Sequence, residues 1–181
     1  MLFNSPEFLL FLPIVFALYW FVVRRNLRAQ NLLLVLASYV FYGWWDWRFL
    51  GLIAFSTVVD YLVGLQIEGA QEKRTRKQWL AVSLVVNLGL LCYFKHSNFF
   101  IDSWVDAWAA AGVTMHVSSL KVILPVGISF YIFQTLSYSI DIYRGTLKPT
   151  HSFINFAAFV SFFPQLVAGP IERASKLLSH I

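Results

Sequence analysis

The sequence predicts an all-α fold: a polytopic transmembrane helical bundle with about six membrane-spanning helices and its N-terminus outside. Three observations support this fold class. Of the 181 residues, 59% are hydrophobic and only 13% are charged, whereas a typical soluble domain is about 25% charged. The apolar residues gather into runs that approach the thickness of a bilayer. The basic residues gather between alternate runs, which is a pattern of membrane topology.

The apolar runs follow one another along the whole chain, so we assign residues 1–181 to a single transmembrane domain. A helix needs about 20 mostly apolar residues to cross the hydrocarbon core of a bilayer. The candidate spans are Leu2–Val23, Asn31–Trp45, Phe49–Ile67, Gln78–Phe94, Val122–Tyr143 and Phe153–Val167. The second run is short for a span, so we expect it to tilt or to continue into the aromatic residues that follow it.

The loops after the first, third and fifth runs carry the basic clusters Arg24–Arg28, Glu72–Lys77 and Arg144–Lys148. Cytoplasmic loops are enriched in Lys and Arg, so these three loops are predicted to be cytoplasmic. The turn at Asp46–Arg48 and the polar segment His96–Lys121 would then lie outside. The net charge of +5 is explained by these clusters, so we predict the lipid bilayer as a partner and no nucleic acid.

Part of the outer polar segment, Phe99–Gly112, alternates aromatic residues with Asp102 and Asp106. This spacing favours an amphipathic helix lying in the membrane interface. The alternative is an ordinary solvated loop with aromatic anchors.

Polar residues inside an apolar run need a partner, a cavity or a function. In the third run, Ser56, Asp60 and Gly64 are four residues apart and share one helix face. Asp60 could handle a proton or a substrate. The interpretation we favour is helix packing, in which small residues allow close approach and Asp60 bonds across the interface.

The fifth run carries a polar and aromatic stripe formed by Tyr131, Gln134, Tyr138 and Asp141. These residues fall within an arc of roughly 80° on a helix of 3.6 residues per turn. Such a stripe should either line a cavity or pack against another helix, and the sequence leaves both interpretations open.

At the end of the sixth run and beyond it, the segment Phe162–Arg173 contains two prolines and a glycine that break a regular helix. Irregular backbone at membrane depth is tolerated only against protein or water. We therefore predict an internal polar chamber here, although a simple helix exit at the interface is the alternative. The candidate chamber-lining or substrate residues are Gln134, Tyr138, Asp141, Gln165 and Arg173. Arg173 could contact an anionic donor or be a solvated charge.

Other kinds of chemistry lack support in the sequence. Cys92 is the only cysteine, so no disulfide framework and no cysteine metal cluster is predicted. The four histidines, His96, His116, His151 and His180, have no catalytic or metal-ligand spacing and are expected at the surface. We therefore predict no metal site and no catalytic residue within this chain.

Four stretches, in order along the chain, resemble the membrane-bound O-acyltransferase family. The closer similarity is to the branch of alginate O-acetylation membrane proteins. The stretches are Met1–Ser5 with Phe11–Pro13, Ser38–Trp45, Leu124–Gln134 with Asp141–Gly145, and Phe159–Arg173. The third and fourth stretches together are specific, and the first alone is weak.

The resemblance implies a multi-pass protein of the bacterial inner membrane that transfers O-acetyl groups to an exopolysaccharide such as alginate. It implies acetyl-CoA as the acetyl donor, no bound cofactor, and periplasmic acetylation proteins as partners. The essential histidine of the family lies in a Trp-His motif, which is expected beyond Ile181. The chain is therefore expected to be an N-terminal part that lacks the C-terminal catalytic part and is inactive alone.

Two other functions remain possible from the residues themselves. A small membrane transporter or channel could be lined by the helices that carry Asp60 and Asp141. A non-catalytic scaffold could assemble a polysaccharide complex. The ordered resemblance favours the acyltransferase over both.

Overall fold

The computed structural model describes residues 5–44, 47–110, 112 and 127–168, and every regular element in these ranges is helical. The helices are α1 (Pro6–Ala17), which continues into a π-helical turn (Leu18–Val22), α2 (Leu27–Gly43), α3 (Arg48–Gly69), α4 (Lys73–Ala110), α5 (Ile128–Arg144), α6 (Phe153–Ser161) and α7 (Phe163–Ala168). Two of them, α3 and α4, are long and apolar enough to cross a membrane. The predicted all-α class is therefore confirmed for the described ranges.

The middle of the bundle is built around α5, which packs against α3, α4, α6 and α7. Its Tyr138 is fully buried and stacks on Phe156 of α6, with ring centroids 4.6 Å apart. The outer surface is apolar as well: Phe21 is 84% exposed and Val85 of α4 is 72% exposed. Many other large apolar side chains are exposed in the same way. Such a surface is typical of a protein that contacts another apolar phase.

Local capping fixes the helix ends next to two of the basic loops. The Asn26 side chain accepts hydrogen bonds from the backbone N–H groups of Arg28 and Ala29 at 3.0 and 3.4 Å, and so begins α2. At the end of α5, Gly145 adopts a φ of 76°. The N–H of Gly145 donates to the Ile142 carbonyl, and the next N–H donates to the Asp141 carbonyl. This is a Schellman ending, which requires the left-handed backbone that glycine adopts easily.

The three basic loops lie at one end of the bundle. Arg76 donates through Nη2 to the carbonyls of Ile142 and Tyr143 at 3.2 and 3.0 Å, which joins the start of α4 to the end of α5. The Asn31 amide donates to Asn155 Oδ1 at 3.1 Å, which joins the first turns of α2 and α6. The end of α5 and the start of α6 flank the loop that carries the third basic cluster. The second cluster lies at the start of α4 and the first at the start of α2, so all three clusters lie at the same end of the bundle.

The predicted division between the fourth run and the segment Phe99–Gly112 is wrong. Lys73–Ala110 forms one continuous helix of 38 residues, about 57 Å long at 1.5 Å per residue. No glycine or proline occurs between Lys95 and Ala110, so nothing in the sequence breaks the helix there. His96 therefore lies within α4 rather than in a loop. The amphipathic stretch exists, but as the far end of α4.

The predicted break in the sixth run is confirmed. Phe162 leaves the helical region with a ψ of 102°, which separates α6 from α7. Pro164 explains the break, because it has no N–H to donate and its ring would clash with the carbonyl four residues earlier. Arg173 and the first residues of the fifth run lie outside the described residues.

Candidate functional site

The most extensive polar site in the described ranges lies where α3, α4 and α5 meet. Asp60 on α3 is fully buried. The hydroxyl of Ser83 on α4 lies 2.7 Å from Asp60 Oδ1, and the Asn87 amide nitrogen lies 2.9 and 3.0 Å from the two carboxyl oxygens. These bonds join α3 to α4 in the middle of the bundle, so Asp60 packs across an interface as the favoured interpretation expected.

The α5 helix completes this network with two hydroxyls. Ser139 Oγ lies 3.1 Å from Ser83 Oγ, and Thr135 Oγ1 lies 3.2 Å from Asn87 Oδ1. All four partner side chains of the network are fully buried. We call this group, Asp60, Ser83, Asn87, Thr135 and Ser139, the Asp60 cluster.

Close packing beside the Asp60 cluster depends on Gly64. A Cβ at this position would lie 3.0 Å from Tyr138 Cε1 and 3.2 Å from Ile142 Cδ1. The predicted polar and small face of α3 therefore contacts the predicted aromatic stripe of α5. The Tyr138 hydroxyl at this contact, and the Ser56 hydroxyl two turns earlier on α3, are buried without a hydrogen-bond partner in the part of the chain that the structure describes.

The sequence did not reveal Ser83 and Asn87 as the partners of Asp60. A signal was present, because the two residues are four apart in an otherwise apolar run and therefore lie on one helix face. Matching that pair to the polar face of the third run would have predicted the α3–α4 contact.

A second polar site lies where α5 meets α6 and α7. Gln134 is buried, and its amide donates to the Phe159 carbonyl at 2.8 Å in the last turns of α6. The Phe163 N–H, which begins α7, donates to Ser38 Oγ of α2 at 3.3 Å. In contrast, both amide atoms of Gln165 are buried and have no hydrogen-bond partner among residues 5–44, 47–110 and 127–168.

The candidate chamber residues are thus only partly brought together. Gln134 and Gln165 lie on helices that pack against each other. Tyr138 is one turn further along α5 and is packed between Gly64 and Phe156. Asp141 is half-buried in the last turn of α5, about 10 Å along the helix from Gln134. Arg173 lies outside the described residues.

In the part of the chain that is described, no three His, Cys, Asp or Glu side chains lie close enough together to hold a metal ion. His151 instead lies 3.4 Å from Glu68 at the basic end, and both side chains are substantially exposed.

Comparison with known proteins gives one consistent group of relatives. The chain is 47% identical, over 99% of its length, to the "Probable alginate O-acetylase AlgI" of Pseudomonas aeruginosa. It is 46% identical, again over 99% of its length, to the protein of the same name from Azotobacter vinelandii. The peptidoglycan O-acetyltransferase of Helicobacter pylori is 34% identical over 98% of the chain. The resemblance to alginate O-acetylation membrane proteins is therefore confirmed.

The chain spans about a third of the length of these relatives: 34%, 36% and 38% in the same order. No family model matches the chain, and no solved structure matches it.

Proposed function

Because the chain aligns over nearly all of its length with alginate O-acetylases, we propose that it forms the corresponding part of a membrane O-acyltransferase that acetylates an exopolysaccharide such as alginate. The observation that carries this proposal is the agreement between two kinds of relative. The alginate and peptidoglycan enzymes are named for different acceptors, but both names describe O-acetyl transfer to a polysaccharide. Alginate is favoured as the acceptor because the chain is more similar to the alginate O-acetylases, at 47% and 46% identity, than to the peptidoglycan enzyme, at 34%.

The proposed setting is the bacterial inner membrane, crossed about six times. The N-terminus lies outside and the three basic loops lie in the cytoplasm. Their position at one end of the bundle supports this arrangement, since a single orientation then satisfies the positive-inside rule for all of them. Acetyl-CoA is the proposed acetyl donor, and periplasmic acetylation proteins are the proposed partners.

The proposed polar chamber lies beside the α6–α7 break. Gln165 supports it, because a buried amide with no partner among the described residues is expected to meet water or a substrate group. Arg173 is proposed to contact the anionic donor at the edge of the chamber, through charge-assisted hydrogen bonds. Gln134 and Tyr138 would support the wall through their contacts with α6.

A chimera tests the proposed activity. This chain would replace the matching third of the Pseudomonas aeruginosa relative, in a strain that lacks its own alginate O-acetylase. Alginate recovered from the strain should regain O-acetyl esters, measured by alkaline release of acetate. A chimera that inserts into the membrane at normal levels but leaves alginate unacetylated would contradict the proposal.

Thiol labelling tests the orientation separately. In a Cys92→Ala background, Lys73→Cys should be protected from a membrane-impermeant maleimide in intact cells, and Asp102→Cys at the far end of α4 should react. The reverse pattern would invert the topology.

A further inference from the structure

The acid at the centre of the bundle has no counter-charge among the residues that the structure describes. Asp60 is fully buried by protein on all sides, and it forms no ion pair within the described ranges. Its α4 partners, Ser83 and Asn87, are neutral, and so are the Thr135 and Ser139 hydroxyls of α5.

Within the described residues, the titratable groups that face Asp60 are two tyrosines of α5, Tyr131 and Tyr138. Neither tyrosine supplies a positive charge. A buried carboxylate without a cation is strongly unfavourable, because its charge has lost the solvation of water. Such a group either binds a cation or becomes neutral by taking up a proton.

The hydrogen-bond geometry accommodates a proton on Asp60. As a neutral acid, Asp60 can donate its O–H to Ser83 Oγ, 2.7 Å away, and Ser83 can turn its own O–H toward Ser139 Oγ, 3.1 Å away. A hydroxyl both donates and accepts, so this chain is complete without any charge. The Asn87 amide, at 2.9 and 3.0 Å, still donates to the carboxyl group. The amide nitrogen thus occupies the position in which a cation would contact both carboxyl oxygens.

We propose that Asp60 is a proton-binding site: it holds a proton as a neutral carboxylic acid while α3, α4 and α5 are packed together. When water enters this interface, the proton passes to water and the carboxylate remains. The interface and the proton are therefore linked, so that opening the interface releases the proton and binding the proton favours closure. Asp60 holds this proton because it is buried within the protein, whether or not the protein transfers acetyl groups.

Infrared spectroscopy tests the proposal directly on the chain reconstituted in lipid nanodiscs at neutral pH. The wild-type spectrum should contain the carbonyl band of a protonated carboxylic acid, and the band should shift in heavy water. Asp60→Asn should remove this band and leave carboxylate absorption unchanged. The matched control is Asp102→Asn, an exposed acid on α4, which should reduce carboxylate absorption only. If Asp60→Asn instead reduces carboxylate absorption, Asp60 is ionised and the proposal is overturned.

Ser83→Ala keeps the test decisive if Asp60→Asn does not fold. This variant retains the acid but removes the hydroxyl that accepts a hydrogen bond from it. Because the acid then loses that hydrogen bond, its carbonyl band should move to higher frequency. A band that does not move would show that Asp60 is not its source. A carboxylate band that appears in sodium buffer but not in choline buffer would overturn the proposal in favour of a bound cation.

Discussion

The two polar sites of this bundle differ in how their side chains are satisfied. In the Asp60 cluster, the Asp60, Ser83 and Asn87 side chains all hydrogen-bond within the cluster, across continuous helices. At the α6–α7 break, Phe162 interrupts the helix. The Gln165 amide next to this break has no hydrogen-bond partner in the described part of the chain. A polar residue in an apolar helix is therefore not itself a sign of a cavity. An unsatisfied polar group next to an interrupted helix is the better indication, because it requires a hydrogen-bond partner from outside the described residues.

The largest effect is expected in the Asp60 cluster. Asn87→Leu removes the amide that binds both oxygens of Asp60 and the acceptor of the Thr135 hydroxyl. Asp60 then keeps the Ser83 hydroxyl as a partner, and Thr135 keeps the Ile132 carbonyl. This loss of hydrogen bonds to a buried acid should lower the free energy of unfolding by about 3 kcal/mol. Unfolding by a denaturing detergent would measure the loss. Val85→Ala, at an exposed position of the same helix, should change stability by no more than about 0.5 kcal/mol. Equal losses in both variants would show that the cluster contributes nothing special.

The next effect concerns the packing of α3 on α5. Gly64→Ala places a Cβ 3.0 Å from the Tyr138 ring and 3.2 Å from Ile142, and this overpacking should cost about 2 kcal/mol. Gly51→Ala is the matched control on the same helix, because a Cβ there meets nothing within 4 Å. The control should be neutral or stabilising by up to about 1 kcal/mol, since alanine favours a helix more than glycine does. A stable Gly64→Ala protein would mean that α3 and α5 can separate without cost.

A smaller loss is expected at the second site. Gln134→Leu keeps the size of the side chain but leaves the Phe159 carbonyl without its donor at 2.8 Å. The expected cost is about 1 kcal/mol in the same unfolding measurement. No loss would indicate that water replaces the amide, and it would extend the proposed chamber as far as α5.

The sequence predicted most of the helices, because apolar runs and helix breakers act locally. Pro164 marked the α6–α7 break, and the basic cluster Arg144–Lys148 marked the end of α5. The length of α4 was missed, because charged and aromatic residues after Lys95 suggested a membrane surface, yet charges do not end a helix. The partners of Asp60 were also missed. Their contact joins residues 23 and 27 positions apart, and which helix faces meet is decided by packing between helices, not by the periodicity of either one.

The smallest effect on stability, and the most informative one, is expected at Gln165. Gln165→Leu removes an amide that bonds to nothing in the described ranges, so the free energy of unfolding should change by no more than about 0.5 kcal/mol. If this amide meets water or substrate in a chamber, the same change should reduce acetate transfer by the alginate chimera at normal expression. Gln134→Leu should show the opposite profile, with lower stability and a smaller loss of activity for the protein that remains folded. Cysteine accessibility separates the two positions without any activity assay. In the Cys92→Ala background, a small aqueous thiol reagent should reach Gln165→Cys faster than Gln134→Cys, because Gln134 is buried against the Phe159 carbonyl. If Gln165→Cys stays unreactive and Gln165→Leu is fully active, the unpaired amide is a packing feature and the chamber must lie elsewhere.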